Sequence, residues 1–134
     1  MLLLDTCALI WSVNHDPLKP EARRLIARAA ASEALHLSPV SAWEIGLLVS
    51  RGKLTLEVPA EAYIRRVFNQ PGVRLADLPP EIAVRSSYLP GQFHEDPADR
   101  LLVATAVVMG LKLVTRDQRI LDYASGGYLP VVHC

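Results

Sequence analysis

Short continuous apolar runs alternate along this chain with longer segments that open on proline and close on glycine or a polar turn. Leu2-Leu3-Leu4 ends on Asp5 and reads as a buried strand, central in a parallel sheet. Pro20 opens a helix through about Ser32, and Leu35-His36-Leu37-Ser38 is the second strand. After Pro39 a helix runs from about Val40 to Arg51, stopped by Gly52. A further helix covers Ala60 to Asn69, closed by Gln70-Pro71-Gly72 before a third strand, Val73 to Ala76. Pro79-Pro80 opens a helix through about Tyr88, and Asp96-Pro97 opens the most apolar helix, Ala98 to Met109, ended by Gly110. Leu113-Val114-Thr115, a short helix from Gln118 to Ala124, and Val131-Val132 complete the pattern. Strands alternate with helices throughout, which predicts an α/β fold: one domain over residues 1–134, a parallel sheet of about five strands, and helices on both faces.

In open parallel sheets ligands bind beyond the carboxyl ends of the strands. Asp5 stands at such an end, and Asp117 lies two residues past Thr115. If strands one and four are adjacent, these two acids meet. Glu44 and Asp99 occupy the first turns of two helices. Taken singly, each acid has a capping role open to it. Asp5 and Asp117 can cap the helical stretches that follow them. Ser41 and Glu44 have the spacing of a capping box, and Asp96-Pro97-Ala98-Asp99 offers Asp96 as cap with Asp99 at the third helical position. The functional case rests on joint placement. Four clustered carboxylates repel one another and lose solvation, and a divalent cation is what usually holds such a group together.

Composition narrows the chemistry further. Lys+Arg and Asp+Glu are balanced at 14 each, which argues against broad electrostatic capture of nucleic acid. Eleven of the cations are arginine, suited to bidentate phosphate contacts, and Arg100 and Arg116 lie beside proposed site acids. His15, His36, His94 and His133 are scattered without zinc-type spacing, and His94 is expected at the surface. Cys7 and Cys134 are read as free thiols, Cys7 without a histidine neighbour in sequence to activate it. No apolar run reaches bilayer length and no signal peptide is evident, so the expected location is cytoplasmic, away from membranes.

Four segments in order carry a resemblance: Leu4-Asp5-Thr6; Ser38-x-x-Ser41-x-Trp43-Glu44-Ile45 with Gly52-Lys53-Leu54 downstream; His94-Glu95-Asp96-Pro97-Ala98-Asp99-Arg100-Leu101-Leu102-Val103-Ala104; and Leu113-Val114-Thr115-x-Asp117. Over essentially its whole length the chain resembles PIN-domain ribonucleases, and more narrowly VapC-type toxins of toxin–antitoxin pairs. The resemblance implies a three-layer α/β/α sandwich and a Mg²⁺ (or Mn²⁺) site built from Asp5, Glu44, Asp99 and Asp117. It leaves Asp96 and Ser41 as caps or supporting groups and places Thr6 and Thr115 beside the site. It further implies an RNA substrate, a homodimer, and a small cognate antitoxin on an apolar groove to which Trp11, Trp43 and Leu47-Leu48 contribute. Two positions depart from the commoner pattern: Ala98 replaces an aromatic, and Leu48 stands where many relatives carry Lys. The rival readings are a catalytically idle PIN module for RNA binding or scaffolding, and a haloacid-dehalogenase-like phosphatase, which normally wants a second Asp where Cys7 stands.

Overall fold

A computed structural model describes residues 1–134. Its elements in chain order are β1 (Leu2–Leu4), α1 (Thr6–Val13), α2 (Pro20–Ala31), β2 (Leu35–Leu37), α3 (Pro39–Ser50), α4 (Ala60–Phe68), β3 (Val73–Leu75), α5 (Pro80–Arg85), α6 (Pro97–Met109), β4 (Lys112–Thr115), α7 (Gln118–Ser125) and β5 (Val131–His133). All strand pairs are parallel, in the order β3-β2-β1-β4-β5. β1 is thus central, with Leu4 in register with Val114. The Asp5 N–H continues the ladder, donating to the Val114 carbonyl at 3.1 Å.

β1 is apolar at every position because both faces of the sheet are covered. Leu2 and Leu4 belong to a core with Leu9 of α1, Ala22 and Ile26 of α2, Ile45 of α3 and Tyr63 and Val67 of α4. Leu3 belongs to the opposite core, with Leu102, Val103 and Ala106 of α6 and Ile120 of α7. The side-chain alternation of a strand therefore sorts three adjacent leucines between two layers of helices. This is the α/β/α sandwich.

Several boundaries differ from the sequence reading. The stretch after Asp5 is a full eight-residue helix, α1. α5 stops at Arg85, where Ser86–Tyr88 turn away, rather than running to Tyr88. α3 begins at Pro39, because Ser38 Oγ accepts the Val40 N–H at 3.0 Å and Pro39 fills the first helical position. Ser41 is consequently inside the helix and fully buried, and the capping box expected between Ser41 and Glu44 does not form.

Candidate active site

The carboxyl ends of β1 and β4 and the helices α1, α3 and α6 enclose a pocket of about 160 Å³, lined by Asp5, Thr6, Cys7, Trp11, Glu44, Asp99, Leu102, Arg116 and Asp117. All four candidate acids reach it, each for a local reason. Asp5 is the first residue past β1, and its Oδ1 caps α1 by accepting the Ala8 N–H at 2.7 Å. Asp117 follows β4 and caps α7, accepting N–H bonds from Arg119 at 2.9 Å and Ile120 at 3.3 Å. Asp99 lies in the first turn of α6, where the helix N-terminus favours a negative group. Asp96 caps that helix, its Oδ1 accepting the Asp99 N–H at 3.0 Å, and stands outside the pocket. Glu44 points in from α3, held by a hydrogen bond from the Thr6 hydroxyl, whose oxygen lies 3.0 Å from Ser41 Oγ.

Capping and clustering are therefore not alternatives at Asp5 and Asp117. One carboxylate oxygen of each serves the helix that follows.

Thr6 and Thr115 are buried and engaged with the acids rather than open to a ligand. Thr115 Oγ1 accepts the Asp117 N–H at 3.0 Å, and its hydroxyl also bonds the Asp5 carboxyl. Arg116 lines the pocket, but its guanidinium stacks 3.8 Å above the Trp11 ring and donates to the carbonyls of Pro17 and Cys134. Arg100 lies elsewhere. Its guanidinium donates to the carbonyls of Ser86, Phe93 and His94, so it braces the loop before α6 and is not a lining residue.

Two groups outside the expected site residues also enter. Arg119, in the first turn of α7, approaches Asp117 at 3.4 Å and Asp99 at 3.7 Å. His94, expected at the surface, has a side chain only 18% exposed, with Nε2 3.0 Å from Asp99 Oδ2 but not aligned for a hydrogen bond. The only hint of the first was an arginine two residues after Asp117. The burial of His94 follows from the Phe93 ring packed edge-on against it, centroids 4.3 Å apart.

The charges are held out of balance. Burial pushes the Asp5 carboxyl above its usual range against the pull of Thr115 and the Ala8 N–H, and the Asp117 charge adds to the rise. Burial likewise raises Glu44, offset by Thr6 and reinforced by Asp96 and Asp5. Asp99 is pushed up to about 7 by burial and then by the charges of Asp96, Asp117 and Glu44, with Arg119 opposing. Burial also acts on Asp117, but there the Arg119 and Ile120 hydrogen bonds and the Arg119 charge win and hold it low. Cys7 is exposed at the rim, yet the surrounding protein and the four carboxylates push its thiol up to about 11.

This donor set fits a hard divalent cation. Its ionisable oxygens are all carboxylate, no histidine lines the pocket, and the one thiol stays protonated at neutral pH. No three of the groups are gathered tightly enough to form a closed cage. Magnesium, which keeps several waters and uses one or two carboxylates, does not require one. A stability consequence follows for the metal-free protein. Between pH 3.8 and about 7 folded Asp99 holds a proton that the unfolded chain has released. The stability it contributes is full at the acid end and is lost as pH rises through about 7. In EDTA the melting temperature should therefore fall across that range, and Asp99→Asn should flatten the slope.

A family model described as "PIN domain" matches residues 2–126. The chain is 32% identical to Ribonuclease VapC22 of Mycobacterium tuberculosis over 120 residues, 89% of this chain and 88% of the relative. Among solved structures it is similar to VapBC2 from Rickettsia felis bound to a DNA fragment from its promoter, with a TM-score of 0.70 and 14% identity over 98% of this chain and 96% of that one. It is also similar to a toxin–antitoxin complex from Klebsiella pneumoniae, with a TM-score of 0.65 and 18% identity over 99% and 97% of the two chains. The structural matches speak to fold; the family match and the VapC22 identity speak to descent. The chain belongs to the PIN-domain family and, within it, to the VapC group.

Proposed function

We propose that this chain is a Mg²⁺-dependent endoribonuclease (Mn²⁺ serving as well) and the toxin of a type II toxin–antitoxin pair. The observation that carries the reading is the meeting of Asp5, Glu44, Asp99 and Asp117 in one pocket at the carboxyl edge of the sheet, in a chain of the VapC group. Asp5 and Asp99 would chiefly hold the cation, with Glu44 and Asp117 completing the pocket directly or through water. When bound, the ion supplies the charge that activates water for in-line attack on phosphorus and stabilises the leaving oxygen. The protein's own part is orientation. The Ala8 N–H and the Thr115 hydroxyl fix the Asp5 carboxylate, and Thr6 fixes that of Glu44. Arg116 and Arg119 set positive charge at the rim, where the anionic phosphodiester must enter.

Incubating the purified protein with total cellular RNA, with Mg²⁺ or with EDTA, tests this. Cut ends that need the cation are expected, and uncut RNA under both conditions would sink the reading in favour of an idle module. Cys7→Ala should cleave as the parent does, because a protonated thiol has no nucleophilic part. A cytoplasmic location, a homodimer and a small antitoxin belong to the same proposal. The antitoxin would cover the groove beside the pocket, where Trp43 is 53% exposed above Leu47, Leu48, Arg51 and Lys53. No helix is long and apolar enough to cross a membrane. Copurification with the product of the neighbouring gene is expected, and a monomer indifferent to it would count against the toxin assignment.

A further inference from the structure

An aromatic stack leads outward from the acid pocket. His94, beside Asp99, packs on Phe93; Phe93 packs on Tyr123 with ring centroids 4.7 Å apart; and Tyr123 stacks on Tyr128 at 4.9 Å with the rings 20° from parallel. Tyr123 is buried and anchored by its hydroxyl, which donates to the Pro90 carbonyl at 2.7 Å. Tyr128 is different: it is 40% exposed. Its ring edge lies against Gly91 and Gly126, where a Cβ would stand 2.7 Å from ring atoms at either position. Two glycines thus make the slot that lets the ring lie along Tyr123 while staying partly exposed.

Beside this stack runs a groove of about 390 Å³ whose lining includes Gln92, His94, Arg119, Asp122, Tyr123 and Tyr128. His94 and Arg119 both also contact Asp99, so the groove adjoins the acid pocket through two of its lining residues. Arg119 is 60% exposed, and its two carboxylate contacts, at 3.4 and 3.7 Å, leave most of its N–H donors free. The one acid of the groove, Asp122, already accepts from Gln118 at 2.7 Å.

We propose that this groove is a subsite for a nucleotide of single-stranded RNA flanking the scissile phosphate, its base stacked on Tyr128 and its phosphate held by Arg119. The inference rests on the nuclease reading and names the form of substrate. An unpaired base offers a π-face to a fixed aromatic ring, whereas a base inside a duplex has both faces covered. Local recognition of this kind also suits a chain without net positive charge.

The test uses Asp5→Asn protein, so that RNA stays intact, and the fluorescence anisotropy of a short labelled RNA of mixed sequence, single-stranded or as a duplex. Tyr128→Ala should weaken single-strand binding about tenfold and leave duplex binding unchanged, while Tyr128→Phe and Tyr128→Trp retain affinity. Arg119→Ala should lower the slope of log Kd against log salt by about 0.7. Gly126→Ala, which keeps the tyrosine but displaces its ring, should mimic Tyr128→Ala and serves if that variant folds poorly. In the active chain Tyr128→Ala should raise KM about tenfold and leave kcat within about threefold. Single-strand affinity unchanged in both Tyr128→Ala and Gly126→Ala would overturn the subsite, and if cation-dependent cleavage persists the nuclease reading stands without it. Tyr128-dependent binding by a chain that never cuts RNA would support the subsite and overturn the nuclease. Lost affinity for the neighbouring gene's product, with RNA binding intact, would make the stack a protein contact and overturn the proposal.

Discussion

Asp5→Asn is expected to lower RNA cleavage on the order of a thousandfold while leaving the melting temperature within a few degrees of the parent. The two halves of that expectation come from different oxygens. Asn keeps a side-chain oxygen that can accept the Ala8 N–H, and Asn is as good a helix cap as Asp, so α1 stays in place. What is lost is negative charge at the end of β1, in a position buried enough that ionisation is already costly. Removing that charge relieves the fold and disarms the pocket. Steady-state cleavage of a labelled RNA together with a thermal melt checks both halves. A variant that is fully active, or one inactive only because it is unfolded, would remove Asp5 from the site.

The largest effect on stability is expected far from the chemistry. Gly72 closes the turn between α4 and β3 at φ +86°, in the left-handed region that side chains avoid. A Cβ there would stand 1.9 Å from the Ala30 carbonyl oxygen and 2.7 Å from its carbon, both backbone atoms near the end of α2. Neither can yield without shifting a helix. Gly72→Ala should cost at least about 3 kcal/mol, from strain and overlap together, and lower the melting temperature on the order of 10 °C. Gly110→Ala, at φ +68° with open space around its Cβ, isolates the strain alone and should cost less. Equal losses at the two positions would mean that the contact with Ala30 contributes nothing.

The fold was legible because its strands are short, apolar and separated by helices with proline starts, a pattern that admits few arrangements besides a covered parallel sheet. The order of strands was not. The adjacency of β1 and β4, on which the meeting of Asp5 and Asp117 depends, is a tertiary fact. Ser41 and Glu44 show the limit most clearly. Their spacing is that of a capping box, and only the Ser38-Pro39 pair one turn earlier marks the true start of α3. Once that start is set, Glu44 faces Thr6, a residue from another element that no local pattern could supply. Arg100 and Arg119 make the same point from the basic side. Each stands one or two residues after a site acid, in the first turn of a helix. One is claimed by the carbonyls of the loop before α6 and the other is left over the pocket.

The central place of β1 has a consequence for how the chain comes into being. Its neighbours are β2, made soon after it, and β4, made more than a hundred residues later, so Asp5 leaves the ribosome long before Asp99 and Asp117 exist to join it. A partly synthesised chain can pair β1 with β2 and bury Leu2 and Leu4, yet the strand that brings Asp117 and the helix that brings Asp99 are still missing. No fragment that stops before β4 contains the pocket. The four acids therefore come together only after β4 and Asp117 have been made, however early Asp5 takes its place in the sheet.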